Sequence, residues 1–92
     1  MKIIHNPAFS KALKQTLKYI AKDKPTASLN FKEELKKKIK KLPDNPYICP
    51  PSYYFKEKNV RDMTFKKYTI IYEIKPQEDT IEILDIFNRN KP

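Results

Sequence analysis

The last third of the chain holds three apolar, strand-like runs in close succession. They are Val60-Arg61-Asp62-Met63, continuing to Phe65; Tyr68-Thr69-Ile70-Ile71-Tyr72-Glu73-Ile74; and residues 80–87, which include Ile81-Glu82-Ile83-Leu84-Asp85-Ile86-Phe87. β-branched and aromatic residues dominate them, as expected of half-buried strands. The links are Lys66-Lys67 and Pro76-Gln77-Glu78-Asp79. A parallel crossover needs a dozen or more residues, so such short links predict an antiparallel meander. The chain has no glycine. Each tight turn therefore has to use Asn, Asp or a longer loop for its backbone geometry.

Two helical stripes precede the meander. Residues 2–5 form a short strand candidate. Asn6 can cap a helix over residues 8–22, and Pro7 suits its first turn, where the missing N–H costs nothing. Phe9, Ala12, Leu13, Thr16, Leu17 and Ile20 fall on one side of that helix, with Lys11, Lys14, Lys18 and Lys22 elsewhere. Asp23-Lys24-Pro25 breaks it, and a second helix is expected over residues 25–42, on the stripe Ala27, Phe31, Leu35, Ile39 and Leu42. Glu33 and Glu34 precede Lys37 and Lys38 by one helical turn, the favourable order for ion pairs. The short connector implies an antiparallel helical hairpin. Pro43, Pro46, Pro50 and Pro51 mark a loop, and Tyr53-Tyr54-Phe55 then reads as a short edge strand or a packed segment. The expected architecture is α+β: an N-terminal strand, a helical hairpin and a three-stranded antiparallel meander, with the helices on one face of the sheet. That leaves the far face free. At 92 residues the chain is read as one domain, 1–92.

The net charge of +9 predicts an acidic partner, either nucleic acid or an acidic protein segment, set against a plain solubilising surface. The excess is local. Residues 1–45 carry twelve lysines against four acids, whereas residues 46–92 are nearly balanced. The single cysteine, Cys49, excludes an internal disulfide and fits a reducing cytosol. No run approaches the length of a membrane span, so a soluble cytoplasmic protein with no membrane association is expected. Glycine-rich phosphate loops, Cys/His metal patterns and a Ser/His/Asp arrangement are all missing, and no cofactor or metal is expected. His5 reads as structural or exposed. Tyr53, Tyr54, Phe55 and Tyr68 either fill the sheet edge and core or stack on bases.

The ordered set of pieces resembles the RelE/ParE superfamily, the toxins of bacterial type II toxin–antitoxin modules, also described as plasmid-stabilisation proteins. The pieces are Tyr19-Ile20-Ala21 in the first helix, Leu42 followed by Asn45-Pro46, Val60-Arg61 opening a strand, Tyr68-Thr69-Ile70-Ile71-Tyr72, and the last strand followed by Arg89. The glycine that usually precedes the arginine strand in that superfamily is missing here. The resemblance implies growth inhibition by the free protein and neutralisation by a cognate antitoxin in a hetero-oligomer. It implies one of two targets. A ParE-like chain binds DNA gyrase. A RelE-like chain cuts mRNA in the ribosome, by 2′-OH attack that needs proton transfer and cationic stabilisation of phosphate. The ParE-like branch fits better, because no tyrosine or histidine follows Arg89 to act as acid or base. On the RelE-like reading Arg61 and Arg89 are the catalytic candidates; on either reading Arg61, Arg89, Lys66 and Lys67 are candidates for target or phosphate binding. Arg61 has a competing structural role in an ion pair with Asp62, Glu73 or Asp85. A basic nucleic-acid-binding module without toxicity is the further alternative.

Overall fold

The computed structural model describes residues 1–89. Its elements, in chain order, are β1 (Lys2–His5), α1 (Pro7–Asp23), α2 (Pro25–Lys40), β2 (Val60–Phe65), β3 (Tyr68–Lys75) and β4 (Thr80–Asn88). The strands form one sheet in the order β1-β4-β3-β2. β2, β3 and β4 make the expected antiparallel meander, and β1 joins the outer side of β4 in parallel, which makes the sheet mixed.

Local chemistry explains the helix ends. The Asn6 side chain accepts the Ala8 N–H at 2.8 Å and Pro7 occupies the first turn, so α1 starts where the sequence indicates. Lys24 alone separates the helices, and its N–H closes α1 on the Ile20 carbonyl at 3.0 Å. Ser28 Oγ donates to the Leu17 carbonyl at 2.8 Å and locks the hairpin. α2 stops at Lys40, two residues short of the expected end. Leu42–Asp44 is a 3-10 turn instead, because Pro43 bars the preceding residue from continuing the helix. Glu34 does not pair with Lys38. It meets Lys66 of the β2–β3 turn at 3.4 Å, while the Lys38 ammonium lies 5.9 Å above the Phe65 ring.

The core lies between the hairpin and one face of the sheet. Phe9, Phe31, Leu35, Ile39 and Leu42 meet Met63, Phe65, Tyr68, Ile70, Tyr72, Ile74, Ile81, Ile83 and Ile86. Phe31 stands edge-on to both Phe65 and Tyr68, at 5.1 and 5.2 Å. Each large side chain fully buried here contributes about 1.5–3 kcal/mol. Ile71 pairs with Asp85 but Tyr72 pairs with Ile83, so Leu84 is the extra residue of a β-bulge.

The far face is not free along its whole length. Residues 50–52 run along the free edge of β2, and residues 53–55 turn from there over the face as a strap. Pro51 bridges to Arg61, Ser52 N–H donates to the Val60 carbonyl at 2.7 Å, and the Tyr54 ring rests edge-on against Phe87 at 5.0 Å. Val60, Asp62, Thr69 and Ile71 are buried on that side with no helix over them. Tyr53-Tyr54-Phe55 is thus an exposed bend tied down by its backbone, neither an edge strand nor a packed segment.

Candidate functional site

Three places gather the candidate residues. The first is a groove of about 430 Å³ between α1, α2 and β1. Ile3, Phe9, Leu13, Leu35 and Ile39 form its apolar walls, and His5, Lys32, Lys36 and Lys40 also line it. The lysines recur every four residues along α2, so they stand in one row beside the apolar stripe. His5 is exposed and stands edge-on to Phe9 at 5.3 Å. An apolar trough beside a cationic row suits an amphipathic segment with acids along its margin.

The second place is the corner where the β2–β3 turn meets the end of β4. Arg89 N–H donates to the Lys67 carbonyl at 2.9 Å, and the Arg89 guanidinium donates to the Lys66 carbonyl. Lys66 takes a positive φ of 55°, so this tight turn is made by lysine and not by the Asn, Asp or longer loop expected of a chain without glycine. The fold therefore brings Lys66, Lys67 and Arg89 together, all exposed.

Arg61 is elsewhere. Its Nε donates to the Lys58 carbonyl at 3.0 Å, and Nη1 donates to the carbonyls of Cys49 at 2.9 Å and Tyr47 at 3.5 Å. Its guanidinium lies 4.9 Å over the Tyr47 ring. Asp62, Glu73 and Asp85, the acids expected as structural partners, do not hold it; loop carbonyls do. Tyr72 helps from below by donating its hydroxyl to the Pro46 carbonyl at 2.7 Å. Burial, reinforced by the neighbouring Cys49 side chain, raises the Tyr72 pKa far above its ordinary value and keeps that donor protonated. Arg61 and Arg89 are separated by about five residues of strand, or ~16 Å, and by two strand spacings of ~4.8 Å. One phosphate cannot touch both.

The sheet's far face beyond the strap carries Glu73, Glu82, Asp85 and Lys75. Glu73 and Glu82 are cross-strand neighbours, and Asp85 faces Ile71. Lys75 binds Glu82 Oε1 at 2.6 Å and Asn6 Nδ2 donates to Glu82 Oε2 at 2.7 Å. The bond from Lys75, and then that from Asn6, holds the Glu82 carboxyl below its ordinary pKa of 4.5. The same partner raises Lys75. Among the described residues, no group of three or more His, Cys, Asp or Glu side chains could hold a metal ion, and no helix is long and apolar enough to cross a membrane.

Two buried polar groups gave no signal in the sequence. Asp62 accepts Tyr53 N–H at 2.9 Å and anchors the strap, while its other carboxylate oxygen, Oδ1, is buried without a partner. The Tyr72 hydroxyl anchors the loop. Both follow an apolar–polar alternation that sequence reads only as strand.

A helical hairpin laid on a four-stranded mixed sheet, with a lysine-lined groove and a strap across the back, defines a toxin of the RelE/ParE superfamily. Residues 3–91 match the model of the family described as the ParE toxin of the type II toxin–antitoxin system parDE, and the chain belongs to that family. The fold is shared with a solved structure titled as the chromosomal ParDE toxin–antitoxin system from P. aeruginosa. The TM-score is 0.75 and the identity 16%, with 96% of this chain and 95% of that chain covered. No curated protein sequence matches.

Proposed function

We propose that this chain is the growth-inhibiting toxin of a type II module, that its cognate antitoxin neutralises it in the cytoplasm as a hetero-oligomer, and that it acts by binding DNA gyrase. The observation that carries the choice of mechanism is the placement of Arg61. Its guanidinium is bonded into the loop carbonyls and stands far from Arg89, so the two arginines do not converge on a reacting phosphate.

The lysine-lined groove is the proposed antitoxin seat. An acidic amphipathic segment would bury apolar side chains on Phe9, Leu13, Leu35 and Ile39 and place its carboxylates near Lys32, Lys36 and Lys40. Lys66, Lys67 and Arg89 are the proposed target contacts.

The test is induced expression with and without the neighbouring antitoxin frame. Growth arrest relieved by the antitoxin, with loss of plasmid supercoiling, is expected. Codon-linked mRNA 5′ ends that vanish in Arg89→Ala would replace this reading with the ribonuclease one.

A further inference from the structure

The strap presents an aromatic surface that the gyrase reading does not use. Tyr53, Tyr54 and Phe55 are 87%, 52% and 44% exposed. Their backbone is nonetheless fixed. Tyr53 N–H donates to the buried Asp62 carboxylate at 2.9 Å, and the N–H groups of Tyr54 and Phe55 both donate to Ser52 Oγ, at 3.1 and 3.3 Å. The rings are ordered too. Tyr53 meets Tyr54 edge-on at 5.3 Å, and Tyr54 meets Phe87 in the same way at 5.0 Å. Rings set perpendicular to one another on a hydrogen-bonded backbone offer separate exposed faces whose position is fixed before a partner arrives.

The margin of that surface carries Lys56, Lys58 and Arg89. Lys56 directly follows Phe55 and is exposed. Arg89 lies two residues beyond Phe87, and its guanidinium has donors to spare beyond the one given to the Lys66 carbonyl. Among the acids close by, Glu57 is exposed between Lys56 and Lys58, which outnumber it. Asp62 lies under the strap, and Asp85, two residues before Phe87, accepts the Ile86 N–H at 2.8 Å. Exposed rings flanked by cations bind single strands, whose unpaired bases offer flat faces and whose phosphates need neutralising. The exposed side of α2 also attracts polyanions, but it carries lysines and no ring.

We propose that the strap binds single-stranded nucleic acid, with bases stacked on Tyr53 and Tyr54 and the backbone held by Lys56 and Arg89. This goes beyond the gyrase reading, and involves no cleavage.

The experiment is fluorescence anisotropy of the purified full chain with a short labelled oligodeoxythymidylate or oligouridylate, at low and high salt. Tyr53→Ala should weaken binding roughly 5- to 150-fold, the range for losing one stacked base. Tyr53→Phe should retain it, and so should Lys37→Glu on α2. Duplex DNA should compete poorly. The proposal is overturned if Tyr53→Ala and Tyr54→Ala bind like the parent, if duplex competes equally, or if no saturable binding occurs at low salt. It is equally overturned if cross-linking from the strap captures a protein and no oligonucleotide. Circular dichroism verifies that each variant is folded. The assay reads neither growth nor supercoiling, so its failure leaves the gyrase reading intact.

Discussion

The Arg61 guanidinium donates to the Cys49 carbonyl at 2.9 Å, and thereby fastens the proline-rich loop to the edge strand of the sheet. Hydrogen bonds from a charged donor are worth about 1.5–3 kcal/mol. Arg61→Ala should therefore destabilise the fold by ~2 kcal/mol in urea denaturation. Arg61→Lys should recover only part of the loss, because an ammonium cannot span the carbonyls of Lys58 and Cys49 together. Arg89→Ala, at an exposed site, should cost less than about 1 kcal/mol. Equal losses for the two alanine variants would contradict the structural role given to Arg61.

Lys66 holds a positive φ of 55° in a turn without glycine. A residue with a Cβ is disfavoured there by roughly 1–2 kcal/mol, and Asn tolerates it better. Lys66→Asn should raise stability by ~0.5 kcal/mol despite losing the exposed contact to Glu34, since such surface pairs contribute little. A drop in the urea midpoint would show that the turn is not strained.

Much of this architecture was legible from residue chemistry. Asn6-Pro7 marks the start of α1, and the run from Val60 to Phe65 coincides with β2, because capping and alternation are local properties. The pairing of β1 with β4 was not legible, since a four-residue run carries no sign of which edge it joins or in which direction. The bulge was hidden as well, because Leu84 looks like any other apolar strand position. At the site, the cluster of Lys66, Lys67 and Arg89 depends on where β4 ends relative to a turn twenty residues earlier. The partners of Arg61 depend on the path of a loop whose prolines say only that it is irregular. Tyr53-Tyr54-Phe55 was expected mainly to fill the edge and core, on hydrophobicity alone. Only Tyr68 of the four candidate rings is in the core.

Glu82 is bound by Lys75 and Asn6 and titrates below its ordinary value of 4.5. A carboxyl depressed on folding adds stability at pH values above its unfolded pKa and loses that contribution as pH falls through the folded value. Glu82→Gln should thus lower Tm by a few degrees at neutral pH. The gap to the parent should close on acidification below about pH 4.5, as expected for an unshifted glutamate in the unfolded chain. A gap that stays constant into acid would mean that Glu82 contributes through packing alone.

Asp62 pins the strap by accepting Tyr53 N–H, and its Oδ1 gains nothing in return. Replacing it by alanine removes the anchor and leaves that N–H without its acceptor. The segment also bonds through Ser52 to the Val60 carbonyl and rests on Phe87, so the loss should be local. Chymotrypsin, which cuts after aromatic residues, is a direct probe. The parent should resist cleavage at Tyr53, Tyr54 and Phe55, and Asp62→Ala should be cut there several-fold faster while the sheet melts nearly as before.

Lys32, Lys36 and Lys40 stand in one row along the groove walled by Leu35 and Ile39. Exposed charges of this kind act mainly at long range, on encounter and not on the docked complex. Lys36→Glu with Lys40→Glu should slow association with the proposed acidic antitoxin segment by about tenfold at low salt and change dissociation little, as read by stopped-flow fluorescence. The difference should shrink as ionic strength shortens the Debye length to about 8 Å at physiological salt. Leu13→Ala, which removes apolar wall from the same groove, should act oppositely, speeding dissociation with a nearly unchanged association rate. If the two kinds of variant change the same rate constant, the segment is seated somewhere other than this groove.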